Sequence, residues 1–281
     1  MPRVSPSILR KCDATNRFLR FLLPACKTVE RSVLELKWIS DELRSSGSLN
    51  VKPKWLSAIH NACGERARLV PLQYILGSQP FGALNILCER GVLIPRWETE
   101  EWTHELADRI KNSITRPEEG LVIWDLCSGS GCIALLLEKE LRSHCNLEVS
   151  ALDCSARAIS LIRKNMAHNS IKNVIIKKPD ILNDPPEEAK IDILVCNPPY
   201  ISKESFIKET SQSVKIYEPK LALIGDKEFY HNLVDYWMAR VDSFVYEIGV
   251  IDQAKFVHEA VKKKDELNAV WSLGVKWDTN G

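Results

Sequence analysis

Leu121-Val122-Ile123-Trp124-Asp125-Leu126 runs directly into Cys127-Ser128-Gly129-Ser130-Gly131, and an apolar-rich helical stretch, Cys132–Leu141, follows. A strand, a glycine-rich turn and a helix in that order form a βα unit. Its turn lets a ligand approach the backbone closely, and its helix start offers free N–H groups. Taken alone, the turn is ambiguous. Gly129-x-Gly131-x-x-Ala134 also satisfies the dinucleotide fingerprint, and a plain tight turn would read the same way.

The alternation continues on the C-terminal side. Leu147–Leu152, Val174–Lys177, Ile191–Cys196, Ser243–Ile248 and Ala269–Val275 read as further strands. Ala156–His168, Lys227–Val241 and Asp252–Lys262 read as helices between them. Strands alternating with helices predict an α/β fold with a mostly parallel twisted sheet covered on both faces. Asp153 closes the second strand, about twenty residues past the last glycine, where an acid can accept hydrogen bonds from ribose hydroxyls. That holds for several nucleoside cofactors, and a helix N-cap at Asp153 or Ser155 is the competing reading.

The strand Ile191–Cys196 carries more information, because it ends in Asn197-Pro198-Pro199-Tyr200. Two prolines remove two N–H donors and stiffen the loop, leaving fixed carbonyl acceptors. The Asn197 side chain adds another acceptor. Together they can grip the hydrogens of an –NH2 group, with Tyr200 as a flat face for the planar group that bears it. Hydride transfer has no use for such a loop, so methyl transfer to an amide or amino nitrogen is the expected chemistry. No strong general base is evident.

The N-terminal third differs. Val33, Leu36, Ile39 and Leu43, then Trp55, Ile59 and Cys63, recur at helical spacing, so residues 29–77 are expected as a small helical unit. Pro80, Gly82, Gly91 and Pro95 punctuate short apolar runs over 78–98, as in a β-hairpin. Trp102, Leu106 and Ile110 mark another helix, and Arg116, Pro117 and Gly120 a loop after it. Arg3, Arg10, Lys11, Arg17, Arg20, Lys27 and Arg31 stand against only Asp13 and Glu30 at the start of the chain. That composition fits a mitochondrial targeting segment and an ordinary basic helix alike.

Net charge is +1 over 281 residues, which supplies no global field for nucleic acid. No run reaches the roughly 18 apolar residues of a membrane span. The nine cysteines form no C-x-x-C pair. They read as reduced, mostly buried small apolar residues in a reducing compartment, with neither a zinc site nor a disulfide framework.

These motifs, in order, closely resemble the glutamine-N5 methyltransferases of peptide-chain release factors, the HemK-type family. Pro71-Leu72-Gln73-Tyr74-Ile75-Leu76-Gly77 resembles the stretch joining that family's two domains. Gly91-Val92-Leu93-Ile94-Pro95-Arg96 with Glu98-Thr99-Glu100 resembles its next signature, although Trp97 stands where the family usually has proline. Asp125 to Gly131, Asp153 and Asn197 to Tyr200 match in order and spacing, with Cys127 where glycine is frequent. Glu218-Pro219, Leu221-Ala222-Leu223 and Glu247-Ile248-Gly249 match downstream.

The resemblance implies a class I methyltransferase (Rossmann-like) domain with a small N-terminal helical domain, and S-adenosyl-L-methionine as methyl donor. It implies the glutamine of a release factor's Gly-Gly-Gln loop as substrate, and the organellar branch implies mitochondria rather than cytoplasm. The division it implies is 1–77 for targeting segment plus helical domain, 78–98 for the hairpin linker, and 99–281 for the methyltransferase domain. By position, Asp125, Cys127, Ser128, Gly129, Ser130, Gly131, Asp153 and Asn197 would line the cofactor, with Asp180 and Ile181 near its adenine. Asn197, Pro198, Pro199 and Tyr200 would hold the glutamine amide, with Asn197, Pro198 and Tyr200 as the catalytic set. No metal and no direct nucleic-acid partner are expected, and the chain is expected as a monomer. The family's sheet finishes with an antiparallel strand after a turn such as Asp278-Thr279-Asn280-Gly281, where this sequence stops. The domain is therefore expected without its last strand and with an open sheet edge. Two rival readings are a methyltransferase acting on adenine or guanine amino groups, and a non-catalytic protein that binds release factors.

Overall fold

The computed structural model describes residues 5–45, 52–113, 120–186, 191–265 and 271–277. It divides into two compact units. The first comprises residues 1–78 with 211–217, and the second 79–210 with 218–281.

The first unit is helical. α1 (Pro6–Thr15), α2 (Leu19–Cys26), α3 (Val29–Ser45), α4 (Lys52–Ala67) and α5 (Leu72–Leu76) follow one another. Helix periodicity is at work: Leu22 and Cys26 of α2 meet Ile39 of α3 and Ile59 and Cys63 of α4 in one buried cluster. The basic start of the chain is thus part of this core, since Cys12, Leu19 and Leu23 form a second buried cluster. Within the unit, Glu35 is only 2% exposed, and Arg66 meets it through two hydrogen bonds of 2.7 and 3.1 Å. Such a pair tolerates burial because both charges are satisfied.

The second unit opens with a two-stranded sheet of β1 (Ser78–Phe81) and β2 (Leu84–Leu87). Helix α6 (Trp97–Ser113) begins at Trp97, the first helical position, where the family's proline would also be favoured. Then come β3 (Gly120–Leu126), α7 (Cys132–Leu141), β4 (Asn146–Leu152), α8 (Ala156–His168), β5 (Val174–Lys177) and β6 (Ile191–Cys196). After them lie the short helices α9 (Lys203–Lys208) and, in the first unit, α10 (Gln212–Tyr217). α11 (Glu228–Asp235), β7 (Val241–Tyr246) and α12 (Ile251–Asp265) complete the chain of elements. The five strands form one parallel sheet in the order β5-β4-β3-β6-β7. This is the class I methyltransferase fold. α7 is buried along most of its length, with Leu135, Leu136 and Leu137 fully inside. Tyr230 and Trp237 fill the core of the other face.

Three expectations need correction. Lys227–Val241 is not one helix: α11 stops at Asp235, and a 3-10 turn over Trp237–Ala239 leads into β7. The buried Trp237, whose Nε1 donates to Asn232 Oδ1 at 2.7 Å, fixes that turn. The strand read at Ser243–Ile248 lies two residues earlier, because its register against β6 runs from Ile191–Val241 to Cys196–Tyr246. Glu247 and Ile248 therefore leave the sheet. Residues 271–275 of the strand read at Ala269–Val275 form no ladder; 269 and 270 lie outside the described residues. Trp271 packs by its ring on Phe244 (centroids 5.4 Å apart), and Lys276 pairs with Glu105. The turn read at 278–281 and the loop residues Arg116 and Pro117 also lie outside the described residues.

Leu22 is fully buried between helices. Leu22→Ala should cost about 2–5 kcal/mol of stability, read as a lower urea midpoint with an unchanged slope.

Candidate active site

The sheet has a switch point at β3, from which the chain proceeds one way through β4 and β5 and the other through β6 and β7. Ligands of open α/β sheets bind outside the carboxyl ends of the strands at such a point. A cavity of about 320 Å³ lies there, walled by Val92–Arg96, Cys127–Ser130, Leu152–Ser155, Pro179–Asn183, Asn197 and Pro199.

The turn after β3 is held from below. Asp125 is fully buried and does not line the cavity. Its Oδ2 accepts from the Ser128 hydroxyl and from Ala134 N (3.2 Å), so it shapes the turn rather than facing a ligand. Burial pushes its carboxyl up to about 7, against the opposing pull of the Ser128 hydrogen bond. Gly131 likewise lies behind the lining, whereas Cys127, Ser128, Gly129 and Ser130 reach it. Cys127 adopts φ +54°, a left-handed conformation that accounts for glycine being suited to this position.

Asp153 lies on the cavity wall. Its two oxygens accept from Gly129 N and Ser155 N, each at 2.8 Å, which ties the first turn to the second. A carboxylate has about four acceptor sites, so capacity remains for a diol. Burial raises its pKa. Asp180 and Ile181 form the next part of the wall, and Asp180 is fixed by Asn183 Nδ2 (2.8 Å) and Leu182 N (3.1 Å). Across the cavity, Arg96 Nη2 bridges both oxygens of the buried Glu218 at 2.9 and 2.8 Å, pinning the 91–96 wall to the segment carrying Leu221 and Ala222.

The loop after β6 divides its residues between two spaces. Asn197 and Pro199 face the cavity, and Pro198 is buried. Tyr200 lines a neighbouring cavity of about 780 Å³. Its ring packs against Gly249, where an added Cβ would come within 2.5 Å; at Gly225 one would fall 2.2 Å from the Pro199 carbonyl oxygen. Only glycine permits both approaches. Gln253, itself buried, donates from Nε2 to the Tyr200 carbonyl (2.9 Å) and accepts from Gly249 N (2.8 Å). Asn197 Nδ2 donates to Thr99 Oγ1 (2.9 Å), and Thr99 Oγ1 donates to Glu247 Oε2 (2.7 Å). Trp102 Nε1 reaches the same oxygen at 2.9 Å, and Tyr200 Oη donates to Glu247 Oε1 at 3.1 Å. Burial raises the pKa of the Glu247 carboxyl, and these three donors oppose the rise.

The sequence reading attached no role to Thr99, Glu247, Gln253 or Gly225. The signal for Glu247 was obscured, because the strand was read through it to Ile248, whereas the pairing ends at Tyr246 and leaves the acid just beyond the strand end, beside Asn197 at the end of β6. Among the described residues no cluster of His, Cys, Asp or Glu could hold a metal ion, and no helix is long and apolar enough to cross a membrane.

The Methyltransferase small domain model matches residues 103–215. The mitochondrial MRF1 N(5)-glutamine methyltransferase MTQ1 of Saccharomyces cerevisiae is 44% identical over 100% of this chain and 87% of its own length. The chain belongs to the N5-glutamine methyltransferase family. The probable MRF1 mitochondrial N(5)-glutamine methyltransferase of Schizosaccharomyces pombe is 36% identical over 99% of this chain and 93% of its own. Among solved structures, the hMettl16 catalytic domain in complex with MAT2A 3'UTR hairpin 6 shares the fold, at 16% identity, TM-score 0.51 and 73% coverage of each chain. In this N5-glutamine methyltransferase, therefore, the enzyme class is that of protein-glutamine methyl transfer, and the two loops that flank the cavity are where that chemistry has to be sought.

The raised Asp125 carboxyl has a consequence for stability. Unfolded, it ionises near its usual value of about 4; folded, near about 7. Its contribution is full below the unfolded value and is lost as pH rises towards the folded one. Asp125→Asn should therefore flatten the fall in stability across that window, measured by urea unfolding at stepped pH.

Proposed function

We propose that this methyltransferase transfers a methyl group from S-adenosylmethionine to the side-chain nitrogen of glutamine in the Gly-Gly-Gln loop of a mitochondrial release factor of the MRF1 kind. The observation that carries this reading is the placement of Asn197 on the wall of the cavity that also holds Asp153. Both relatives are named as mitochondrial MRF1 N(5)-glutamine methyltransferases, which supports both the substrate and the mitochondrial setting.

In this reading Asp153 receives the ribose hydroxyls with its remaining acceptor capacity. The backbone of Ser128–Ser130 and the side chain of Cys127 close over the ligand, and Asp180 and Ile181 flank its adenine. Asp125 acts through Ser128 and the start of α7. When bound, S-adenosylmethionine supplies an electrophilic methyl group on a sulfonium.

The amide nitrogen is a weak nucleophile, because its lone pair is delocalised into the carbonyl. Asn197 Oδ1 accepts one of its hydrogens and holds the nitrogen in line. Pro198 and Pro199 keep the loop rigid while it does so, and Gln253, Gly225 and Gly249 hold that loop in place. Such positioning can supply up to about 7–11 kcal/mol of the barrier. On gaining the methyl group the amide nitrogen would give up one proton, which solvent would take. Glu247 is not the base in this scheme, because it does not line the cavity that Asn197 faces and reaches Asn197 only through Thr99.

The test is label transfer from methyl-labelled S-adenosylmethionine to purified mitochondrial release factor and to its loop Gln→Ala variant. Label is expected on the first and absent from the second. Asn197→Ala should lower transfer about a hundredfold or more while cofactor affinity by calorimetry stays within a few-fold. Full activity of that variant would overturn the reading. Asp153→Asn should do the reverse, weakening cofactor binding first.

A further inference from the structure

We propose that Thr99 and Glu247 are positioning residues that fix the direction of the Asn197 amide, so that only its carbonyl oxygen faces the substrate, and that this makes the site select a primary amide over a carboxylate. The proposal rests on the reading that Asn197 receives the substrate amide, and extends it from binding to selectivity.

Trp102 Nε1 is a donor only, and it sits 2.9 Å from Glu247 Oε2. Tyr200 Oη donates to Oε1. Both carboxylate oxygens therefore act as acceptors. Thr99 Oγ1 lies 2.7 Å from the same Oε2, a distance that two oxygens hold only with a hydrogen between them. A hydroxyl has one hydrogen, so the Thr99 proton is committed to Glu247. The remaining Thr99 contact, to Asn197 at 2.9 Å, must then be one in which Thr99 accepts. The group that Asn197 turns towards Thr99 is thus its NH2, whichever way the amide would otherwise lie. Its Oδ1, which has no hydrogen-bond partner among the described residues, is left for the cavity.

A carboxyl group whose two oxygens both accept thus sets the polarity of every bond after it. Thr99 is 2% exposed, so water does not compete for its hydroxyl. A glutamine amide brings N–H groups to the waiting oxygen. A glutamate carboxylate brings only acceptors, and the resulting oxygen–oxygen clash has no relief while Asn197 cannot turn over. A site with a fixed acceptor rejects a ligand lacking the donor far more strongly than one whose amide can flip.

Glu247→Ala tests this most sharply. Without the carboxylate the Thr99 hydroxyl is released to donate to Asn197, which lets the amide turn over and present its NH2; a glutamine would not do this, because the donor-only Trp102 Nε1 would hold its carbonyl oxygen beside Thr99. The expected result is a kcat lower by about tenfold or more, with S-adenosylmethionine affinity within a few-fold of the parent. The loop Gln→Glu variant of the release factor, a poor competitor of the parent enzyme, should become a better one. Thr99→Val should lower kcat with the same retention of cofactor binding, and Thr99→Ser, which keeps the hydroxyl, should restore it. If Thr99→Val does not fold, the Glu247→Ala and Thr99→Ser pair carries the test. The proposal fails if Asn197→Ala is inactive while Glu247→Ala keeps the parent kcat and the parent discrimination against the Glu variant. If Asn197→Ala is itself fully active, it is the reading of Asn197 that fails.

Discussion

The parallel pairing of β3 with β6 is the constraint on which the rest of the site depends. Leu126 and Cys196 are register partners, so both strands end at the same level and the chains beyond them emerge side by side. One becomes the glycine-rich turn and the other the Asn-Pro-Pro-Tyr loop. Parallel strands need a crossover between them, and here two βα units intervene, bringing Asp153 onto the same rim. Because β6 also pairs with β7 up to Cys196 and Tyr246, Glu247 emerges on that rim as well. Three strand ends thus bring Asp153, Asn197 and Glu247 to one rim, without any of them being close in sequence.

The two loops are stiffened by different means. The first is underpinned by the buried Asp125, which costs desolvation and leaves its carboxyl poised near neutrality. The second relies on two prolines, two glycines that allow close approach, the Gln253 clamp on the Tyr200 carbonyl, and Glu247, which holds the Tyr200 hydroxyl. That division suits the tasks proposed above. A ligand rich in polar groups would meet backbone N–H groups on one side. On the other, a substrate amide would meet an acceptor on a backbone with two N–H donors removed.

Much of this was legible in the sequence because it is local. β5, β6, α7 and α8 were bounded correctly by apolar runs, glycine and an N-cap serine, Ser155. The motif residues Cys127 to Ser130, Asp153, Asp180, Ile181 and Asn197 do converge on one cavity. What was not legible depends on burial or on register. Asp125 reads as a ligand-facing acid until the fold places it under the turn. Nothing in the sequence marks the Tyr200 hydroxyl as a partner of Glu247, 47 residues away. The boundaries of β7 shifted because pairing with β6, not the apolar run at Ser243–Ile248, sets where a strand ends. Thr99 could not be assigned because its role exists only between Asn197 and Glu247, 98 residues from one and 148 from the other.

The central claim is that these strand ends direct a methyl group onto an amide nitrogen. The most direct measurement is fragmentation mass spectrometry of the mitochondrial release factor after complete reaction, followed by acid hydrolysis of the labelled peptide, which together locate the added methyl group to one residue and, through released methylamine, to its nitrogen. The account predicts one methyl group, on the side-chain nitrogen of the loop glutamine and nowhere else. A methyl group on a different residue, or on RNA with the release factor untouched, would contradict it.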